Sequence, residues 1–434
     1  GDKGIIDGVE YTIVNESTLR QMVANDEDVS KVVTSKISNM SVLFNVNRQF
    51  NQDISSWDIS NVTSLYYMFQ EAKAFNQNIG SWDVGKVTDM RNVFTNATSF
   101  NQDLSKWNVS NVENMHSMFA NTPFNQDINE WDVSKVTDMG GMFSSNDFFN
   151  QPIGSWDTSN VTTMWAMFGG ASVFNQPIGE WDTSNVTNMG GMFWGASSFN
   201  QDISDWDVSN VKSLRSIFMG AKSFNQPIGD WDTSKVTDMS YMFHVANDFN
   251  QYINNWDVSN VIDMTYMFGA SYSFNQPLNN WNTSSLIIMK GMFSNANSFS
   301  YSINNWDVSN VTNMSYLFWN NKLFNQDISE WDVSNVNDME GMFSNTSFNQ
   351  DIGNWDVSKV QDMRNMFQNA ESFNQDIGNW DVSSVLGLAF MQSMFQNASS
   401  FNQDLSNWCV SNISALPSGF NIGATAWALP KPVW

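Results

Sequence analysis

Twelve aspartates of this chain stand immediately after a tryptophan, among them Asp58, Asp83, Asp132, Asp157, Asp182, Asp207, Asp232 and Asp257. Aspartates that recur in register on stacked rungs would lie about 4.8 Å apart and repel by on the order of 1 kcal/mol per pair in water. Two chemistries would offset that repulsion. A serine two residues on (Ser60, Ser110, Ser134) can donate to the carboxylate in an Asx-type turn. Alternatively, a divalent cation, best Ca²⁺, can bridge carboxylates of adjacent rungs. The hydrogen-bonded reading comes first, because neither an EF-hand loop nor a Gly-Gly-x-Gly-x-Asp repeat accompanies the aspartates. Calcium is the one cofactor left open.

A second set of residues could recognise a ligand. Tyr66, Tyr67, Trp165, Tyr241 and Tyr266 occupy the variable pair of an M-x-x-M-F motif, and Trp194 and Trp319 follow its phenylalanine. Exposed aromatics stack on sugar rings or anchor protein partners. The plainer alternative is drift at solvent-facing positions. Catalysis has little to work with. There are two histidines, His116 and His244, and one cysteine, Cys409. No G-x-S-x-G, P-loop or H-E-x-x-H string occurs. The aspartates recur everywhere, whereas an active site is usually singular, so a non-enzymatic protein is expected.

The element that carries both sets is a repeat, F-N-Q-D/P-I-x-x-W-D-V-S-N/K-V-T-x-M-x-x-M-F-x-x-A. Of the 14 intervals between its marker tryptophans, from Trp57 to Trp408, 11 are 25 residues, two are 24 and one is 28. A fixed period of this size signals a solenoid. In Trp57-Asp58-Ile59 the two-residue alternation predicts a short strand, and I-x-x-W-x-I matches the core spacing of a leucine-rich repeat. Val62, Leu65, Met68, Phe69 and Ala72 are spaced like one face of a short helix. The expected fold is therefore α/β: a leucine-rich-repeat-like solenoid of about 16 coils, one short parallel strand and one short helix per coil. Fifteen rungs would extend on the order of 70 Å. The 20 Trp, 33 Phe and 26 Met are expected to fill its core.

Three segments are expected: an N-terminal cap over 1–31, the solenoid over 32–413 and a C-terminal cap over 414–434. In the first, Tyr11 to Val14 reads as a strand, and Ser17 as the cap of a helix from Thr18 to Asn25. Val32 to Gln49 reads as a first coil without its tryptophan. The 28-residue coil carries its extra residues in Leu386 to Phe390; with Val385, Leu388, Met391, Met394 and Phe395 keeping a spacing of three, the insertion should lengthen the helix by nearly a turn and keep the core in register. Pro417, Pro430 and Pro432 oppose further coils.

The net charge of −25 argues against nucleic acid and anionic membrane surfaces as partners. No run of 18 apolar residues encodes a membrane span. The start at Gly-Asp-Lys fits a chain whose leader is removed or absent.

The string F-N-Q-D-I-x-x-W-D-V-S-N-V-T-D-M-x-x-M-F resembles the BspA-type leucine-rich-repeat surface proteins of bacteria, over about residues 32–413. The C-terminal Pro-Lys-Pro-Val-Trp resembles the end of the array in Bacteroidetes members. The resemblance implies a right-handed solenoid, an extracellular or outer-membrane-associated location, and adhesion to a protein or polysaccharide ligand, without catalytic residues. An accessory or structural role within a cell-envelope complex is the alternative.

Overall fold

The computed structural model describes residues 2–6 and 8–434. The chain divides into two compact units, Gly1–Asn210 and Val211–Trp434. Near the N-terminus, strand β1 (Lys3–Ile6) pairs antiparallel with β2 (Val9–Ile13), and β2 pairs in parallel with the two-residue β3 (Val32–Val33). Helix α1 spans Glu16–Ala24. Its N-cap is Asn15, not Ser17. The Asn15 backbone is extended, and its side chain accepts the Thr18 N–H at 2.8 Å.

The coils from Trp57 onward correct the strand-plus-helix expectation. Neither a strand nor an α-helix forms in them among the described residues; each coil is a chain of β-turns. In the coil of Trp57, backbone N–H groups donate three residues back, Trp57 to Ile54 (3.1 Å), Val62 to Ile59 (2.8 Å), Met68 to Leu65 (2.9 Å), Ala72 to Phe69 (3.0 Å) and Phe75 to Ala72 (3.0 Å). The spacing of three that suggests a helix face is the spacing of β-turn corners. A helix would send each N–H four residues back. Here the intervening donors go to the next coil instead: Leu65 to Asp89 O, Tyr67 to Arg91 O, Phe69 to Val93 O and Glu71 to Thr95 O, at 2.8–3.0 Å. Tyr67 and Glu71 take positive φ angles of 58° and 56°. No right-handed helix accommodates them.

The parallel pairing also lies elsewhere than expected. The W-D-V stretch forms no ladder among the described residues. Single-residue parallel bridges join the residue before the first methionine or leucine of M-x-x-M, from Asn39 to Asn188 in the first unit and from Ser213 to Asp362 in the second. Inter-coil bonds and short turns together satisfy the backbone, as about ten residues of isolated helix would do poorly.

Aromatic columns fill the interior. Within a coil the two phenylalanines stack, Phe69 on Phe75 at 4.0 Å; between coils Phe69 stacks on Phe94 at 5.6 Å and Trp57 on Trp82 at 6.5 Å. Burying a phenylalanine ring is worth about 1.5–3 kcal/mol, and each aromatic pair adds about 0.5–1.5 kcal/mol. The inward threonines Thr158, Thr183, Thr233 and Thr283 are buried, and each hydroxyl donates to the carbonyl of an aspartate one coil on, at 2.9–3.0 Å. That bond is what makes a polar group tolerable where other coils carry Val or Ile.

In the 28-residue coil the insertion forms a single 3₁₀ turn, Leu388–Met391. Val385, Met391, Met394 and Phe395 stay buried, in register; Leu388 does not, and is exposed.

Candidate functional site

The aspartates after the tryptophans are held by their own coils. The Ser60 N–H and hydroxyl both reach Asp58 Oδ1, at 3.0 and 2.7 Å, and the pattern repeats at Asp132 and Asp182. Asp157, Asp207, Asp232 and Asp257 accept the N–H of the serine two residues on, and Asp83 that of Gly85. These bonds favour the ionised form. The carboxyls of Asp58, Asp132, Asp182 and Asp232 accordingly titrate below the ordinary range, chiefly through the serine hydroxyl. At Asn108 and Asn282 the same serine N–H bond is made to an amide oxygen at 3.2 Å, so the position works without a charge. Among the described residues, no three His, Cys, Asp or Glu side chains gather to hold a metal ion.

The recognition candidates stand on turns, not on a helix. In the first unit, Tyr66 and Tyr67 meet edge to face at 4.2 Å, and the Arg91 guanidinium covers the Tyr66 ring at 4.7 Å. Arg91 is itself fixed by two bonds to Asp89, at 2.9 and 2.7 Å. Trp165 and Trp194 occupy different positions of successive coils and are 50% and 48% exposed.

The second unit brings its candidates together. Tyr241 and Tyr266 take the same position in successive coils and stack at 5.6 Å, and the His244 ring meets both edge-on at 5.7 Å. Arg215 lies over Tyr241 at 5.4 Å. Tyr266 then lies over Gly291, where a Cβ would collide with its ring. Lys290 reaches the Tyr316 ring at 5.7 Å. Tyr316 in turn lies over Gly341, whose Cβ position is 2.8 Å from its ring and 3.9 Å from that of Trp319. Arg364 completes the row, bonded to Glu340 at 3.0 Å and to Asp362 at 2.7 Å. Burial raises the Tyr266 and Tyr316 hydroxyls, Glu340 raises Tyr316 further, and burial lowers the His244 imidazole.

Tyr316, Lys290, Glu340 and Arg364 are absent from the residues singled out by sequence, and the signal for them is positional. Read down one column of the repeat, Tyr266 is followed by Gly291 and Tyr316 by Gly341. Each ring lies in the space that a missing side chain leaves. Chemically, the row offers aromatic faces flanked by guanidinium, ammonium and carboxylate groups, a set suited to binding.

The family model described as "Mycoplasma protein of unknown function, DUF285" matches residues 15–127, 120–231, 212–329 and 289–408. Among solved structures, a leucine-rich repeat protein from Bacteroides ovatus is similar at 11% identity and a TM-score of 0.37, covering 70% of this chain and 86% of that one. A leucine-rich repeat protein of Leptospira interrogans is similar at 7% identity and a TM-score of 0.22, covering 92% and 96%. A TDR receptor is similar at 10% identity and 0.23, covering 92% and 85%. Among curated proteins, none matches.

Proposed function

The chain belongs to the DUF285 family, and from that premise we propose that it is a non-enzymatic binding protein whose repeat surface engages a protein or glycan ligand at the cell surface. The observation that carries this reading is the row from Arg215 through Tyr241, Tyr266 and Tyr316 to Arg364. Such rows supply rigid contact area at small entropic cost, and tyrosine and arginine are the side chains that most often dominate binding energy. Many weak contacts along successive coils would add as avidity. The likeness of the W-D-V-S-N-V-T-x-M repeat to the BspA-type leucine-rich-repeat surface proteins supports an extracellular, envelope-associated location.

The test is binding of the intact chain to arrays of extracellular-matrix proteins and glycans. A Tyr241→Ala, Tyr266→Ala double variant should lose at least tenfold in affinity for whatever the wild type captures. Gly291→Ala, which displaces the Tyr266 ring without removing it, should weaken binding to a smaller degree. Capture indifferent to both variants would remove the row from the account, and no capture on either array would remove the adhesion role.

A further inference from the structure

The coil that breaks the period also opens a cleft. In the coil before it, Val360 is followed by Gln361-Asp362-Met363, and the Gln361 and Asp362 N–H groups both donate to Asn337 O, at 2.9 and 3.4 Å. In the next coil three extra residues separate Val385 from Met391. The chain swings out at Gly387, with a φ of 125° and a ψ of 157°. That conformation is open to glycine almost alone. The inter-coil bonds resume where Met363 N–H meets Phe390 O at 2.9 Å. The detour leaves a cleft of about 550 Å³ over Gln361 and Asp362.

We propose that this cleft binds one ring of a neutral saccharide. Its volume falls within the roughly 300–1,000 Å³ of small-molecule sites. It is lined by polar residues that carry amides, carboxylates and hydroxyls (Asn337, Gln361, Asp338, Asp362, Ser383 and Ser384) and by the apolar Leu386 and Phe390. A sugar ring offers both kinds of contact, hydroxyls for the polar groups and a C–H face for the apolar ones. Phe390 and Leu386 are 39% and 66% exposed, so apolar surface remains for a ligand to cover. The Arg364 guanidinium lies 5.8 Å from the Phe390 ring and bonds Asp362 three times, at 2.7–3.0 Å, linking the two lining residues.

The carboxylates are held by partners that leave them able to accept hydroxyl donors. Both Asp362 oxygens are taken by Arg364. Asp338 accepts the Glu340 N–H at 3.0 Å on Oδ1 and the Asn313 amide at 3.1 Å on Oδ2. Asp362 is paired with a guanidinium, whereas the partners of Asp338 are neutral and leave its charge in place; both carboxylates keep lone pairs that suit hydroxyl donors.

The proposal deepens the binding role above but uses a site separate from the tyrosine row. It is tested by saturation-transfer NMR on the intact chain, with the methyl β-glycosides of glucose, galactose and N-acetylglucosamine and the matching β-linked tetrasaccharides. At least one probe should receive saturation at its ring protons. Phe390→Ala should raise its dissociation constant at least fivefold, and so should Gln361→Ala, while Phe148→Ala, at an exposed aromatic of the first unit, changes nothing. Deleting residues 387–389 restores the regular period and should abolish binding with the melting transition retained. A glycoside that binds as tightly as its tetrasaccharide identifies a single ring as the ligand; a tighter tetrasaccharide identifies the same ring within a glycan. No transfer from any probe, transfer indifferent to Phe390→Ala, or uptake of N-acetyl-lysinamide or N-acetyl-argininamide in place of sugars overturns the proposal. Saccharide binding that survives Tyr241→Ala, Tyr266→Ala while array capture is lost separates failure here from failure of the row.

Discussion

The indole Nε1 of Trp181 donates to the carbonyl oxygen of Ile153, one coil earlier, at 3.0 Å. Equivalent bonds recur in each unit, from Trp82 to Ile54 and from Trp256 to Ile228. The Ile153 carbonyl also accepts the Trp156 N–H at 3.3 Å, so losing the indole removes one of its two bonds, a cost of about 0.5–1.5 kcal/mol. Trp181→Phe keeps most of the ring but removes the donor, and should destabilise the chain by roughly that amount in urea unfolding. Trp181→Leu should cost more, since it also vacates the stack with Trp156 and Trp206. Equal costs for the two would mean that packing alone requires tryptophan.

Asp182 serves as an acceptor for Ser184, and Asn108 and Asn282 show the role filled without charge. Asp182→Asn should therefore be nearly neutral and Asp182→Ala should cost about 1 kcal/mol, the scale of a lost side-chain cap. The same account expects the melting temperature to be unchanged between excess EDTA and millimolar Ca²⁺. A rise of several degrees with Ca²⁺ would mean that the native state binds it, and the aspartate ladder would become a metal site.

The same bonds set an acid limit. Asp58, Asp132, Asp182 and Asp232 titrate below the ordinary carboxyl in the folded state, with the serine hydroxyl as the main cause. A depressed folded pKa contributes stability that is fully present above the unfolded value, about 3.9, and is lost as pH falls through the folded one. These groups thus contribute no slope between about pH 7 and 5, and a loss of stability below about 4. Ser184→Ala should move the Asp182 carboxyl resonance to titrate at higher pH. A midpoint unmoved by that substitution would assign the shift to something other than the hydroxyl.

Val245 sits at a φ of 60°, where neighbouring coils place Gly220, Ala270 and Asn295. A β-branched residue is strained in the left-handed region by roughly 1–2 kcal/mol, and asparagine tolerates it. Val245→Asn should therefore stabilise the second unit by about 1 kcal/mol. Destabilisation in the melt would show that the valine side chain contributes packing that outweighs its backbone strain.

Much of this protein is legible in its sequence. The period fixes which residues share a column, and the apolar letters of that period, from Ile54, Trp57 and Ile59 to Phe69, Ala72 and Phe75, are the buried ones. The serine two residues after most of these aspartates also announces the hydrogen bond, because an Asx turn is local and needs only a short stretch of chain. What the letters leave open is what the spacing of three means. Leu65, Met68 and Phe69 satisfy a helix face and a run of β-turn corners equally well, since both return the chain to one side every three to four positions. Only the stack decides between them. Once the coils lie in register, alternate N–H groups find carbonyls on the following coil, and the helix loses its donors to its neighbours. For the same reason the tyrosine row and the cleft at Phe390 belong to the tertiary structure: each consists of what one coil leaves uncovered on the next, a relation between residues a full period apart in the chain.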